Sequence, residues 1–356
     1  MAGEMNDDSV KRRLSPEEHL RSVRDLWKEC FGDSDEFLDI YFGKVYSPQV
    51  DYSVEIDARV VSALQCIPYN MLCGGSECST AYLSGVCTAR EYRRRGLAGR
   101  LVEQATRDMR SRGCVFGFLI PSGRNVLPFY RAYGYYLAMR RKAVMLPHMP
   151  DSGADVPYRT ERVTAFSDEL YELFVKRQRG RAGYALLHGR EQFSTVVTDW
   201  LKGGNLILAA QCAGKMISYL FARPDGGCKT LFVYDAPASE EPAFGFLAEQ
   251  ARGMYGGFSV KSYAVGRSAR EMFACARIVD AERALGIYAL LHPEASMNVR
   301  IYGDRLIEDN NGCFTVSVGK CVRSADTGGC CVPMTMAALT RMIFSRDDVS
   351  FNFLLE

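Results

Sequence analysis

Residues 85–109 read GVCTAREYRRRGLAGRLVEQATRDM, a strand-like segment that passes through three arginines and a glycine into a helical pattern. A strand, a short turn and a helix make an anion site, because the first N–H groups of a helix lack internal partners and lie at the positive end of its dipole. Gly96 allows close approach of a phosphate, and Ala98 keeps the same face small. The arginines 93–95 can donate charge-assisted hydrogen bonds to a pyrophosphate.

A solvated basic helix start is the plain alternative, but cations at a helix N-terminus oppose the dipole, so three of them favour a bound anion. A nucleic-acid surface is a weaker alternative, because no basic surface interleaved with aromatic residues extends the cluster.

The composition sets the limits of function. The 356 residues indicate two or three domains, 47% of them are hydrophobic, and the net charge of +2 excludes a strong general attraction to nucleic acid or anionic membrane. Residues 1–19 are polar and unlike a signal peptide, and no apolar run approaches a membrane span, so we expect a cytoplasmic protein. The 13 cysteines contain no C-x-x-C spacing and the four histidines lie far apart, which predicts reduced thiols and no metal site.

Helix and strand patterns predict an α/β fold with mixed sheets, in an α+β arrangement of three domains that span residues 1–150, 151–268 and 269–356. The Pro- and Gly-rich residues 148–160 read as a linker, after which mixed strands and helices resume without an arginine–glycine turn. We expect one helix over residues 93–113 and another over 333–344.

Residues 86–103 (VCTAREYRRRGLAGRLVE) resemble the acetyl-CoA motif of the GNAT acetyltransferases, in which Arg or Gln, two residues, Gly, any residue and Gly or Ala follow one another. Arg93, Gly96 and Ala98 meet this pattern, while Arg90 stands where proline is common. Two GNAT-like domains with the motif only in the first, followed by MFACARIVDAERAL at residues 272–285, resemble the enhanced-intracellular-survival (Eis) acetyltransferases. That resemblance implies a third domain like sterol carrier proteins, and a homo-oligomer.

The resemblance also implies acetyl-CoA as the cosubstrate, without a metal. The acceptor would be a primary amine of a small molecule, of the aminoglycoside or polyamine type, or a lysine side chain. The implied cofactor-binding residues are Val86, Cys87, Thr88, Arg93, Arg94, Arg95, Gly96, Leu97, Ala98 and Gly99. Cys87 is expected to face the core or the cofactor and not to act as a nucleophile, because in the sequence only Arg90 stands near it to lower the thiol pKa.

Two residues are implied as catalytic. Tyr130 in FYRAYGY lies where the family carries its general acid, although packing is the alternative for this tyrosine and for its neighbours Tyr133 and Tyr135. An unperturbed tyrosine has a pKa near ~10, so it keeps its proton at neutral pH and can protonate a thiolate. The family uses the C-terminal carboxylate as the base, which here belongs to Glu356, with Glu55 as the internal alternative and a core-packing tail as the non-catalytic one.

Two other functions stay open. One is a non-catalytic acyl-CoA or lipid-binding protein, in which the third domain holds the ligand. The other is an aminoacyl transferase, since these also use tandem GNAT-like domains. The intact turn together with Tyr130 favours acetyl transfer over both.

Overall fold

The computed structural model describes residues 14–148, 157–181, 183–236, 242–264, 270–324, 331–345, 349–350 and 353. The chain divides into a first unit, Met1–Ile67 with Leu83–Ala105, and a second unit, Pro68–Tyr82 with Thr106–Glu356. The described helices are α1 (Pro16–Phe31), α2 (Asp35–Lys44), α3 (Leu97–Ser111), α4 (Leu127–Ala132), α5 (Asp168–Arg179), α6 (Arg190–Lys202), α7 (Pro242–Met254), α8 (Ala281–Leu291) and α9 (Met336–Ser345).

The longest strands in the described residues are β2, β3 and β10. They are β1 (Asp51–Ile56), β2 (Arg59–Cys73), β3 (Ser76–Thr88), β4 (Phe116–Leu119), β5 (Tyr136–Lys142), β6 (Val144–Leu146), β7 (Arg159–Arg162), β8 (Tyr184–Leu187), β9 (Leu206–Cys212), β10 (Lys215–Asp225), β11 (Thr230–Asp235), β12 (Ser259–Ser262), β13 (Arg270–Ile278), β14 (Met297–Tyr302), β15 (Gly312–Ser317), β16 (Lys320–Ser324), β17 (Val332–Thr335) and β18 (Val349–Ser350).

Local signals in the sequence set the first elements of the first unit. Ser15 caps α1 in a capping box with Glu18, and α1 ends at Gly32 in the left-handed region, with φ of 73°. The strands β1 and β2 form an antiparallel hairpin whose two turn residues, Asp57 and Ala58, both have positive φ. Positive φ at both positions is the geometry of a type I′ turn, which matches the twist of paired strands.

The helix α3 begins later than the sequence predicts. It starts at Leu97 and not at Arg93, because Arg94 and Gly96 have φ of 62° and 75°, which a right-handed helix does not accept. The arginines therefore form the turn before the helix, and Gly96 lies just outside it.

The second unit contains three sheets. The first has the order β18-β8-β2-β3-β4-β13-β5, to which β2 and β3 contribute residues 68–73 and 76–82 here. In it β3 runs parallel to β4, and β13 lies antiparallel between β4 and β5. The second sheet has the order β6-β12-β11-β10-β9-β7, and α7 buries Phe244 and Leu247 in its core.

The third sheet has the order β16-β15-β14-β17. The helix predicted from Pro333 starts instead at Met336, because Val332–Thr335 pairs with β14 as the parallel strand β17. Mixed parallel and antiparallel pairing in these sheets confirms the predicted fold class. The domain boundaries after residues 150 and 268 remain predictions.

Candidate active site

The end of β3 carries the first part of the predicted cofactor site, residues 86–88. Gly85, immediately before it, has φ of 59° and is closely covered. A Cβ at Gly85 would come within 2.0 Å of the Trp27 ring and 2.7 Å of Gln65 Oε1, so only glycine fits. The left-handed backbone at Gly85 is therefore fixed by its close neighbours, just ahead of the segment expected to hold pantetheine.

Hydrogen bonds hold the segment that follows. Ser62 Oγ donates to the Cys87 carbonyl at 3.0 Å, and the Ala89 N–H donates to the Val61 carbonyl at 2.9 Å. Cys87 is 5% exposed, as a residue that faces the core would be. The backbone of this segment is thus fixed by its own unit.

The turn between β3 and α3 places exposed residues, 93–96, directly before the first N–H groups of α3. Gly96 accepts the first helical bond from the Arg100 N–H at 3.1 Å, so the N–H groups of Leu97, Ala98 and Gly99 have no acceptor within the helix. A Cβ at Gly96 would meet no atom within 4 Å. This opening beside helix N–H groups has the geometry of an anion site.

Two of the three arginines fold back onto the turn. Arg93 Nε donates to the Thr88 carbonyl at 3.0 Å, and an Arg95 guanidinium N–H donates to the Glu91 carbonyl at 3.0 Å. The Arg95 guanidinium also lies 4.8 Å from the centre of the Tyr92 ring. These two side chains therefore brace the turn in this structure, and Arg93 links it to the end of β3. Contacts of the arginines with a pyrophosphate remain a prediction.

Tyr130 belongs to the second unit, on the short helix α4. Its side chain is buried, at 8% exposed, and its carbonyl accepts from the N–H groups of Tyr133 and Tyr135, both at 3.1 Å. Arg277 on β13 donates to the Tyr133 carbonyl at 2.9 Å and to both oxygens of Asp304 at 2.8 and 3.0 Å. The end of α4 is thus held by a buried ion pair.

Tyr135, the other tyrosine considered, lies wholly in the core. It is 0% exposed, and its hydroxyl lies 3.1 Å from Thr106 Oγ1 inside the core. Such a hydroxyl is already engaged in packing.

Glu356 lies outside the described residues, but Phe353 near it is described. Phe353 is 7% exposed, its ring centre lies 4.7 Å from that of Phe221 and 5.6 Å from that of Trp200, and its carbonyl accepts from His188 Nε2 at 3.0 Å. Residue 353 is therefore anchored in the second unit.

Glu55, the internal alternative for the base, is engaged in an ion pair. His19 Nδ1 lies 2.7 Å from Glu55 Oε1, and His19 Nε2 lies 2.9 Å from Asp51 Oδ2. Burial opposes protonation of His19, but the two carboxylates outweigh it and raise the His19 pKa above 6.5. The carboxylate of Glu55 is thus already engaged by His19.

Sequence reasoning did not find Cys30, whose thiol lies at the end of β3. Cys30 Sγ is 3.6 Å from the Thr88 carbonyl oxygen and 4.0 Å from an Arg93 guanidinium nitrogen. Nothing in the sequence around Cys30 in α1 indicates this contact, because it depends on how α1 packs on β3.

The described part of the chain holds no group of three or more His, Cys, Asp or Glu side chains that could bind a metal. No helix among the described residues is long and apolar enough to cross a membrane.

Several solved structures share the fold. A GCN5-related N-acetyltransferase from Kribbella flavida is 19% identical to this protein. The match covers 92% of this chain and 86% of that chain, with a TM-score of 0.70. A probable N-acyltransferase from Enterococcus faecalis V583 is 18% identical over 92% and 88%, with a TM-score of 0.69. Eis1 from Mycobacterium abscessus is 16% identical over 93% and 88%, with a TM-score of 0.68. At these identities the likeness establishes the fold.

A comparison of the sequence with curated proteins finds no match. The model of the acetyltransferase (GNAT) domain family matches residues 11–138, which include the turn, α3 and α4. This match confirms the resemblance drawn from the arginine–glycine turn, while the sterol-carrier-protein-like third domain remains a prediction. Residues 11–138 thus form an acetyltransferase domain of the GNAT family.

Proposed function

We propose that the protein is an acetyl-CoA-dependent N-acetyltransferase that moves an acetyl group directly to a primary amine. The acceptor is a small molecule of the aminoglycoside or polyamine type, or a lysine side chain. The observation that carries the proposal is the exposed turn before α3, where Arg94 and Gly96 are left-handed and the position of a Cβ at Gly96 is empty. The predicted homo-oligomer and cytoplasmic location belong to the same proposal.

The residues of the first unit fit the cosubstrate. Pantetheine would lie along Val86–Thr88, and the N–H groups of Leu97, Ala98 and Gly99 would hold the pyrophosphate beside Gly96, where the position of a Cβ is empty. Bound acetyl-CoA supplies the acetyl group as a thioester. Arg93 donates from the turn to the Thr88 carbonyl and would thereby hold the pantetheine segment and the pyrophosphate turn in a fixed relative position.

Tyr130 is the proposed general acid. Its phenol would hold a proton at neutral pH and donate it to the leaving sulfur. Two observations support it: the side chain is 8% exposed, and its backbone is fixed through Tyr133 and the Arg277–Asp304 pair. A fixed and largely desolvated donor is what acid catalysis requires.

The C-terminal carboxylate of Glu356 is the proposed base, which accepts or relays a proton of the amine. Phe353, three residues before it in the sequence, is anchored by His188 and by aromatic rings. Glu55 is the weaker candidate, because His19 already holds its carboxylate. The names of the structurally similar proteins from Kribbella flavida and Mycobacterium abscessus, a GCN5-related N-acetyltransferase and Eis1, agree with acetyl transfer.

Replacement of Gly96 by Glu tests the cofactor site. The carboxylate would stand where the phosphate is expected, and loss of about 2 kcal/mol of charge-assisted bonding weakens CoA binding roughly 30-fold. Gly204→Glu is a matched control, because Gly204 has φ of 73°, close to the 75° of Gly96, and equally open surroundings. Calorimetric titration with CoA gives both affinities. An unchanged affinity in folded Gly96→Glu contradicts the assignment.

The acceptor class is tested by release of the CoA thiol from acetyl-CoA. Polyamines, aminoglycosides and a lysine peptide are compared at saturating acetyl-CoA, with buffer alone as the blank. Turnover on at least one primary amine is expected. CoA binding without turnover on any amine would favour the acyl-CoA or lipid-binding alternative.

A further inference from the structure

Two cysteines of the second unit meet beside the turn that joins β2 to β3. Cys73 is the last residue of β2, Cys78 is the third residue of β3, and their Sγ atoms lie 3.2 Å apart. Both side chains are buried, at 0% and 6% exposed. The sulfurs of a disulfide lie ~2.05 Å apart, so a shift of about 1 Å would bring these two to bonding distance. The pair therefore already has the proximity that a disulfide requires.

The turn between the two cysteines already folds the chain back on itself. Gly74 and Gly75 have φ of 56° and 89°, and positive φ at both positions is typical of the tight turns that join adjacent strands. The Gly74 N–H donates to the Gly183 carbonyl at 3.1 Å, and Cys73 pairs with Tyr184 of β8. The backbone around the pair is thus held in the form that a small disulfide ring needs.

The two thiols are unequally placed. Cys78 directly follows the exposed residues 74–77, whereas Cys73 is wholly buried and its Sγ also lies 3.7 Å from the Met71 carbonyl oxygen. The contact with Cys78, followed by burial, raises the pKa of Cys73, so this thiol keeps its proton at neutral pH. Cys78 is therefore the sulfur that a reagent reaches first when the exposed turn opens, and Cys73 reacts second.

We propose that Cys73 and Cys78 form a reversible oxidation site for a small-molecule disulfide such as glutathione disulfide, with Cys78 as the attacking sulfur and Cys73 as the resolving one. Cys78 loses its proton and attacks one glutathione sulfur, so a new S–S bond forms, the S–S bond of glutathione disulfide breaks, and one glutathione leaves with that proton. The Cys73 sulfur then attacks the Cys78 sulfur, and the second glutathione leaves with the Cys73 proton. The two protein sulfurs lose two electrons, which the glutathione disulfide gains.

The oxidation site uses neither acetyl-CoA nor an amine, so it does not depend on the proposed acetyl transfer. In a reducing compartment a disulfide of this kind is transient and responds to oxidants. The bond would close a ring at the end of β2, where Asn70–Cys73 pairs with Tyr184–Leu187 of β8. A disulfide removes conformations from the opened chain, so it slows local opening. Oxidation therefore stiffens the pairing of β2 with β8.

The first experiment equilibrates the reduced full-length protein with glutathione disulfide and then alkylates the remaining thiols. Trypsin and a glutamyl endopeptidase cleave on both sides of the pair and at Glu77 within it, which separates residues 60–77 from residues 78–90. Mass spectrometry should find these two peptides joined through Cys73 and Cys78, and dithiothreitol should release them. If both cysteines are still alkylated after equilibration, the oxidation site is overturned.

The two peptides also contain Cys66 and Cys87, so fragmentation must show which sulfurs are joined. A link through either of these two cysteines overturns the assignment to Cys73 and Cys78.

Single variants test the order of the two sulfurs. Cys73→Ala should stop the reaction at the mixed disulfide, so glutathione stays on Cys78, whereas Cys78→Ala should leave Cys73 without glutathione. Cys275→Ala is the control, because Cys275 is also 0% exposed in the second unit and its loss should leave the Cys73–Cys78 bond unchanged. Glutathione on Cys73 in Cys78→Ala would overturn the assigned order.

Hydrogen exchange measures the effect of oxidation on the two paired strands. Amides of residues 70–73 and 184–187 should exchange about tenfold more slowly in the oxidised protein than in the reduced one. Amides of α6 in the same unit are the internal control and should be unchanged. Equal exchange in both states, with the disulfide mapped, overturns the stiffening. Absence of CoA binding would contradict only the proposed acetyl transfer, because the peptide mapping decides the cysteine pair by itself.

Discussion

Protonation of His188 is expected to destabilise the fold around Phe353. His188 is 3% exposed, and its Nε2 donates to the Phe353 carbonyl at 3.0 Å while its Nδ1 lies 3.2 Å from Gln178 Nε2. The Gln178 amide also donates to the Leu186 carbonyl at 2.6 Å, so Nδ1 accepts from this amide and the ring is neutral. A second proton would sit on Nδ1 and would then face the Gln178 amide nitrogen, which is itself a donor, although a protonated Nδ1 needs an acceptor.

The size of the effect follows from the pKa. Burial lowers the pKa of His188 from 6.5 to about 4, although the bond to Phe353 opposes the change. The unfolded chain therefore binds a proton as the pH falls below about 6.5, while the folded chain binds it only near 4. The stability contributed by the neutral ring is complete above 6.5 and is lost as the pH falls toward 4. Between pH 7.5 and 4.5 the loss is about 2.5 kcal/mol.

Urea denaturation at a series of pH values, followed by tryptophan fluorescence, measures this loss. His188→Gln is the matched variant, since an amide can still donate to the Phe353 carbonyl but does not titrate. His19 acts in the opposite direction, because its raised pKa gives stability that is lost as the pH rises above 6.5. The difference between wild type and variant removes that contribution. An equal pH slope in both proteins would refute the reasoning.

Three further changes test the site and its support. Tyr130→Phe should lower kcat about 100-fold with little change in CoA affinity, whereas Tyr133→Phe should leave kcat near the wild-type value; normal turnover of Tyr130→Phe rules out the acid role. Asp304→Ala leaves its buried arginine partner unpaired, so thermal or urea unfolding should show a loss of about 3–5 kcal/mol, against less than about 1 kcal/mol for the exposed Asp168→Ala. Glu356→Ala should keep most activity because the terminal carboxylate remains, whereas two added glycines should cripple kcat; normal turnover of the extended protein excludes that carboxylate as the base.

The parts of the fold that local chemistry determines could be predicted from the sequence. The capping residue Ser15 is of a type favoured at helix starts, and Asp57 is of a type favoured in tight turns, because caps and tight turns depend on neighbours within a few positions. The arginine–glycine turn belongs to the same class. The start of the helix after this turn was predicted four residues too early, since Arg94 adopts a left-handed φ that residue type alone does not require.

Strand pairing at a distance could not be predicted in the same way. The residues Val332–Thr335 precede a helix and look like its first turn, yet they pair with β14 as a parallel strand. β13 lies between β4 and β5, although many residues separate it from both in the sequence. Such pairings depend on which edge is free after the other strands have formed, and no short stretch carries that information.

The candidate site, like the fold, has one part that the sequence predicts and another that depends on distant packing. Gly96 and the helix N–H groups follow from the order of residues in one turn, so an anion site can be predicted from the sequence. The ionisation of its neighbours does not follow from that order. Cys87 and Cys30 have the same side chain, yet interaction with Cys87, together with the Arg93 guanidinium, lowers the pKa of Cys30 to about 6, whereas interaction with Cys30 and burial raise the pKa of Cys87. Reactivity at this site is therefore decided by the packing of α1 on β3, and substitutions in α1 that leave the motif intact should change it.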